Sequence, residues 1–263
     1  MKKTLRYSLF WTLAAGMLSP AAAQVNPVTG AVRDLGRLAS APARLEKADL
    51  LPVAGVVGAG LLLYSLDGQI RHAFRKNRTS TLDDISKQAE KLGNGGYDLA
   101  IAGAGWLAGK AFGDEKLRVT SLLAAESFLA ANGVGTLAKF AAGRSRPYAG
   151  DGKSRFRPFN FKTQSTSFPS GHTVSAFSVA SVYAYSYSDR PAVAAAAYTL
   201  AGAVALQRVY ADKHWASDVF FGAALGVATG RLVTAEHKPG AGGARLLPVF
   251  GPGYSGAEAS VRF

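Results

Sequence analysis

Phe168-Pro169-Ser170-Gly171-His172-Thr173 stands just past the middle of the chain, and a long apolar run rich in Ala and Ser follows it. Proline, a small hydroxyl residue, glycine and then an unbroken apolar run read as a loop turning into a helix. Gly171 lets the backbone approach a ligand closely. The first N–H groups of a helix have no partner within it, so such an end attracts anions, phosphate above all. His172 then sets a titratable ring beside that anion. Taken alone, the stretch is also an ordinary helix start, with Ser170 as cap and His172 on the surface. Four matching residues do not decide between the two.

Further apolar segments lie on either side. They run over about 51–66, 98–112, 117–141, 171–187, 191–209 and 215–234. Charged or Gly/Pro breaks part them, at Gly113-Asp114-Glu115-Lys116, at 143–169 and at Ser188-Asp189-Arg190-Pro191. Alternation with a period of two is scarce before the tail, so the chain reads as all-α, a helical bundle of about six core helices. Ser80 and Thr81 before Leu82-Asp83-Asp84 mark a capped helix start in the polar stretch 67–97, and Gly93 to Gly96 end it. Residues 24–48 form a loosely structured lead-in with a short helix around Val32 to Leu38. The bundle domain is placed at 49–236. A Gly/Pro-rich tail, 237–263, carries a candidate β-hairpin, Arg245 to Phe250 and Ala257 to Phe263 flanking Gly251-Pro252-Gly253.

The first residues point to export. Lys2, Lys3 and Arg6 precede an apolar run from Leu9 to Leu18, and Ala21-Ala22-Ala23 supplies a cleavage site before Gln24. This predicts a secretory signal peptide over 1–23. Subtracting the charges of Lys2, Lys3 and Arg6 from the net +13 leaves +10, so the basic character belongs to the mature chain. A basic protein favours anionic partners such as phosphate esters, nucleic acid or anionic headgroups. The absence of Cys excludes disulfides, thiolate nucleophiles and Cys-ligated metals. The apolar runs are rich in Ala, Gly and Ser, Lys110 and Glu126 interrupt them, and mean hydropathy is only +0.09. They are expected to be buried bundle helices of a periplasmic, soluble or peripherally bound protein, with an integral membrane protein as the alternative.

Two other clusters carry chemistry. In Lys139-Phe140-Ala141-Ala142-Gly143-Arg144-Ser145-Arg146-Pro147 an apolar helix ends in cations. That is either simple end-capping or a clamp, with Lys139 as a point charge and Arg146 as a planar fork for phosphoryl oxygens. In Arg208-Val209-Tyr210-Ala211-Asp212-Lys213-His214-Trp215-Ala216-Ser217-Asp218, His214 and Asp218 are four apart. If that segment is helical the carboxylate accepts the Nδ1 proton and leaves Nε2 free as nucleophile or base.

In this order the three pieces, K-x6-R-P, P-S-G-H and R-x5-H-x3-D, resemble the signature of the type 2 phosphatidic acid phosphatase (PAP2) superfamily. That group takes in membrane lipid phosphatases, bacterial non-specific acid phosphatases and vanadium haloperoxidases. The resemblance implies His214 as a nucleophile forming a phosphohistidine, Asp218 as its orienting partner and His172 as the general acid on the leaving oxygen. It implies Lys139, Arg146 and Arg208 on the equatorial oxygens, with Ser170 and the Gly171 N–H adding hydrogen bonds. It also implies no metal and no cofactor, three cations standing where Mg²⁺ stands elsewhere. One position departs: Gln207 stands where the family usually has Ser before the third-motif arginine, with a modest effect on substrate preference or rate expected. His72 and His237 lie in polar stretches and read as solvated.

The connection 148–168 interleaves Lys153, Arg155, Arg157 and Lys162 with Tyr148, Phe156, Phe159 and Phe161. It reads as a pocket rim or a surface for anionic headgroups rather than a nucleic-acid platform. The function expected is a cell-envelope phosphatase acting on a lipid-linked phosphate or pyrophosphate, with a periplasm-facing site. A soluble periplasmic acid phosphatase is the alternative; a vanadium haloperoxidase and a non-enzymatic envelope protein rank behind. Oligomeric state is not legible.

Overall fold

The computed structural model describes residues 26–92, 95–237, 244–251 and 254–261; the expected signal peptide lies outside them. Eight α-helices, rather than about six, are present among the described residues: α1 Pro27–Ser40, α2 Lys47–Lys76, α3 Ser80–Leu92, α4 Gly95–Phe112, α5 Glu115–Ala142, α6 Gly171–Ser186, α7 Pro191–Tyr210 and α8 Ala216–Glu236. Strands β1 Ala244–Gly251 and β2 Tyr254–Val261 pair antiparallel, Ala244 opposite Val261.

Local chemistry fixes the helix ends. Asn26 accepts from the N–H groups of Val28 and Thr29, and Pro27 occupies the first turn, where its missing N–H costs nothing. Asp114 caps α5 through the Leu117 N–H. At the other end of α5, Gly143 takes the left-handed conformation with φ 58° and gives its N–H to Lys139. A Cβ there would strike the Arg157 carbonyl, so only glycine makes this turn.

Helix α6 is the central element, packed on α4, α5, α7 and α8. Its small residues allow this. Gly222, Gly226 and Gly230 line one face of α8 against Ser170, Ser178 and Ser181 of the α6 segment. A Cβ on Gly226 would sit 2.8 Å from the Ser178 nitrogen. Backbones that approach so closely lay the first turns of α6 and α8 side by side, and that places the site. One core cluster is Leu123 and Ala124 of α5 with Val179, Val182 and Val233; others join Ala176 and Ala180 to Ala201 and Val204, and Ala205 and Val209 to Val219.

Two expectations are corrected. The lead-in is not loosely structured, and its helix is longer than the expected Val32 to Leu38: α1 docks on α5, where Arg33 pairs with the buried Glu126 at 3.0 Å and Asp34 is buried. Glu126 is thus a tertiary contact, not a mark against membrane insertion. The apolar runs are also longer than their apolar residues suggest, because polar flanks continue the helix. Helix α2 spans 30 residues, or about 45 Å at ~1.5 Å per residue. It is not a buried bundle helix, since Leu51, Leu61 and Leu62 point away from protein and Leu51 is 83% exposed. Helices α2, α7 and α8 are long and apolar enough to cross a membrane. Detergent, and not high salt or carbonate, is expected to be needed to extract the protein from a membrane fraction; full release by high salt would oppose this.

Candidate active site

The site lies where the end of α5, the start of α6 and the α7–α8 connection meet. Its hub is the short segment Thr166–Ser170. The Lys139 ammonium donates to the carbonyls of Thr166 and Pro169, at 3.0 and 2.6 Å. Arg146 donates to the Thr166 hydroxyl at 3.2 Å. His214 Nδ1 lies 2.7 Å from the Ser167 carbonyl. The Ser170 N–H donates to the Asp218 carbonyl, tying the start of α6 to that of α8. Ser170 does not cap α6 with its side chain; its hydroxyl is buried and accepts from Thr173 at 3.0 Å. Gly171 has open space where a Cβ would point.

The His214–Asp218 pairing expected from the four-residue spacing is not made. Helix α8 begins only at Ala216, so His214 precedes the helix and shares no face with Asp218. A backbone carbonyl can only accept, so Nδ1 carries the proton and Nε2 is left with a free lone pair. Asp218 reaches His214 indirectly. Its Oδ2 accepts from the Ser167 hydroxyl at 2.5 Å and from the Trp215 N–H at 3.0 Å, while the Ser167 carbonyl holds the ring.

Arg144 is the part that sequence reasoning passed over in favour of Arg146. It is 1% exposed. Its guanidinium donates to Asp218 Oδ1 at 2.6 Å, to the Ser217 hydroxyl at 2.8 Å, to Asp67 Oδ2 at 2.8 Å and to the Lys153 carbonyl at 3.0 Å. The rings of Tyr64, Phe156 and Trp215 surround it. Asp67, a lone acid in the middle of α2, also accepts from the Ser217 N–H. That isolated carboxylate inside an apolar helix was the available signal. Arg71, one turn further along α2, clamps Asp212 with two bonds at 2.6 and 2.7 Å and so fixes the turn that carries His214.

Arg208 is buried but not free. It donates to Gln207 at 2.5 Å and to Glu90 of α3 at 2.7 Å. Glu90 is a second residue the sequence did not single out; Arg208 holds its carboxyl below the usual range. Arg146 keeps a buried Nε with no partner among the described residues. His72 is exposed, as expected; His237 is half-buried, its Nδ1 on the Val233 carbonyl. On the rim, Phe159 and Phe161 are exposed and Lys153 is spent on the carbonyls of Tyr64 and Ser65. Among the described residues, no group of three or more His, Asp or Glu is arranged to hold a metal ion.

Burial and crowded cations hold the site's titrating groups away from charge. Burial, with Arg208 adding, pushes the His172 imidazole down to about 4. Burial, then Arg146 and Lys139, puts His214 well below its ordinary value. Burial, with Arg146 adding, lowers the Lys139 ammonium to about 8, so it stays charged at neutral pH. Both histidines are neutral in the ligand-free site.

Fold and site together define a helical bundle with a cationic, histidine-bearing site where the ends of several helices meet. Residues 120–238, which take in all three motifs, match the PAP2 superfamily. The Lipid A 1-phosphatase of Porphyromonas gingivalis is 30% identical over 181 residues, 67% of this chain and 36% of that protein. The chain therefore spans about a third of the length of that curated relative. Two crystal structures share the fold. The first transmembrane PAP2 type phosphatidylglycerolphosphate phosphatase from Bacillus subtilis is 24% identical, with a TM-score of 0.52 over 69% of this chain and 94% of that one. LpxE of Aquifex aeolicus is 23% identical, with a TM-score of 0.51 over 64% of this chain and 93% of that one.

Two outcomes are expected. Arg144→Met strands two buried carboxylates and should cost about 3–5 kcal/mol, read by denaturant unfolding in detergent; a cost near zero would oppose the network. His172 should titrate near 4 in ring NMR without ligand, against about 6.5 for a free histidine, and move upward when phosphate or vanadate adds negative charge. The unfolded chain binds the extra proton between those values, so lowering the pH through that window works against the ligand-free fold.

Proposed function

We propose that the chain is a metal-independent phosphoric ester hydrolase of the cell envelope, acting on a lipid-linked phosphate or pyrophosphate through its domain at 49–236. The observation that carries this reading is the gathering of Lys139, Arg146 and His214 on Thr166–Pro169, with the Arg146 Nε buried and unpaired. A phosphoryl oxygen supplies the acceptor that this donor lacks.

His214 Nε2, free because Nδ1 is engaged, attacks phosphorus. The bond from phosphorus to the leaving oxygen breaks, and His172 gives that oxygen its proton. Bound phosphate brings negative charge beside His172 and raises its proton affinity, so the acid is armed when substrate is present. Water then attacks the phosphohistidine, His172 takes its proton, and phosphate leaves. Lys139, Arg146 and Arg208 neutralise the equatorial oxygens, with Ser170 and the Gly171 N–H beside them. Asp218 acts through Ser167, fixing the carbonyl that orients His214.

A lipid-linked substrate is favoured over a soluble one by the three helices long enough to span a bilayer. The named activities of the relatives, on lipid A and phosphatidylglycerolphosphate, point the same way. The exposed Phe159 and Phe161 on the rim suit a headgroup layer, and a leader at 1–23 would agree with a periplasm-facing site.

His214→Ala and His172→Ala are each expected to reduce phosphate release by several orders of magnitude in EDTA-containing buffer, with vanadate inhibiting the wild type. Full activity in His214→Ala would falsify the mechanism, and strict Mg²⁺ dependence would point to a different class of chemistry.

A further inference from the structure

Between α2, α3 and α7 runs an apolar groove of about 480 Å³, within the size range of small-molecule sites. Phe74, Leu82, Ile85, Ala89, Ala203 and Leu206 line it, and Tyr210 closes one side against Phe74. Its lining is not satisfied by protein: Ile85 is 58% and Leu206 62% exposed. Scattered exposed apolar residues mean little, but a continuous lined groove calls for an occupant.

Its position names that occupant. The polar edge of the groove is Ser86 and Gln207, joined at 3.1 Å. Gln207 also accepts from Arg208 Nε at 2.5 Å, and Glu90, one turn beyond Ser86, accepts from another nitrogen of the same guanidinium. One side-chain pair thus separates the apolar groove from the cationic cleft. Helices α2 and α7, which form two of its walls, are both long and apolar enough to cross a membrane, so the groove opens between candidate spans. A ligand that fills both places has an anionic head and a hydrocarbon tail.

We infer that this groove holds an acyl chain of the substrate, with Gln207 as the partition between tail and phosphate. The inference rests on the phosphatase reading above and adds where, and by which residues, a lipid is told from a soluble phosphate ester. Gln207 spans the partition: its carbonyl faces Arg208 while its amide nitrogen faces Ser86.

The test fills the groove without touching the cleft. Ala203→Trp is compared with Ala203→Ser and the wild type on long-chain phosphatidic acid in detergent micelles, its dihexanoyl analogue and para-nitrophenyl phosphate. Because each displaced methylene forfeits part of the transfer free energy, Ala203→Trp should lose roughly tenfold or more in kcat/KM on the long-chain substrate. It should stay close to the wild type on para-nitrophenyl phosphate, with the short-chain lipid between. Ala203→Ser should match the wild type throughout, and Ala89→Phe, from the opposite wall, should repeat the pattern. Equal loss on all three substrates, or no loss on any, overturns the inference. So does unchanged lipid turnover with a changed oligomeric mass, which would make the groove a seat for a second copy. A wild type that releases phosphate from none of the three defeats the phosphatase reading instead.

Discussion

One guanidinium holds the active end of this bundle together. Arg144 is sealed between Asp67 of α2 and Asp218 of α8 and also bonds Ser217 and the Lys153 carbonyl. Removing a cation and two carboxylates from water is costly, and it is offset only where nearly every donor and lone pair finds a partner. Here that requirement fixes geometry. Asp218 can hold Arg144, Ser167 and the Trp215 N–H at once only if α2, the 143–170 connection and the start of α8 sit in one arrangement. In that arrangement Ser167 presents its carbonyl to His214.

The same desolvation shapes the chemistry. Burial among cations disfavours any further positive charge, so both imidazoles are pushed down and the Lys139 ammonium is lowered to about 8. Negative charge brought beside either ring would raise its proton affinity again. Lys139 and Arg208 spend donors on backbone carbonyls, Gln207 and the Glu90 carboxylate, while Arg146 Nε has no partner among the described residues.

Much of the cleft was legible in the sequence because its parts are local motifs. Lys139, Arg146, the Pro169–His172 turn, Arg208 and His214 lie at or just beyond helix ends, of which Gly143 makes one and the α7–α8 turn another. The His214–Asp218 contact was not legible, since four residues apart means a shared face only inside a helix, and α8 starts after His214. Arg144, Asp67, Ser167 and Glu90 bond to partners far away in the chain, 150 residues in the case of Asp67 and Ser217, and no short-range pattern joins them.

What the sequence determined by itself was a helical bundle, a basic character and the order of three motifs. These follow from backbone preference, charge and spacing, which act over a few residues. Which apolar helices are core and which face outward was decided only by the tertiary structure. Helices α2 and α6 are both apolar or small almost all round, yet α6 is enclosed by four neighbours while α2 turns Leu51, Leu61 and Leu62 away from protein. Composition sets the preference to leave water and does not say whether protein or lipid receives the side chain. Packing also decided how Asp218 supports His214, because a buried carboxylate takes the partners that satisfy it best, and those were Arg144 and Ser167.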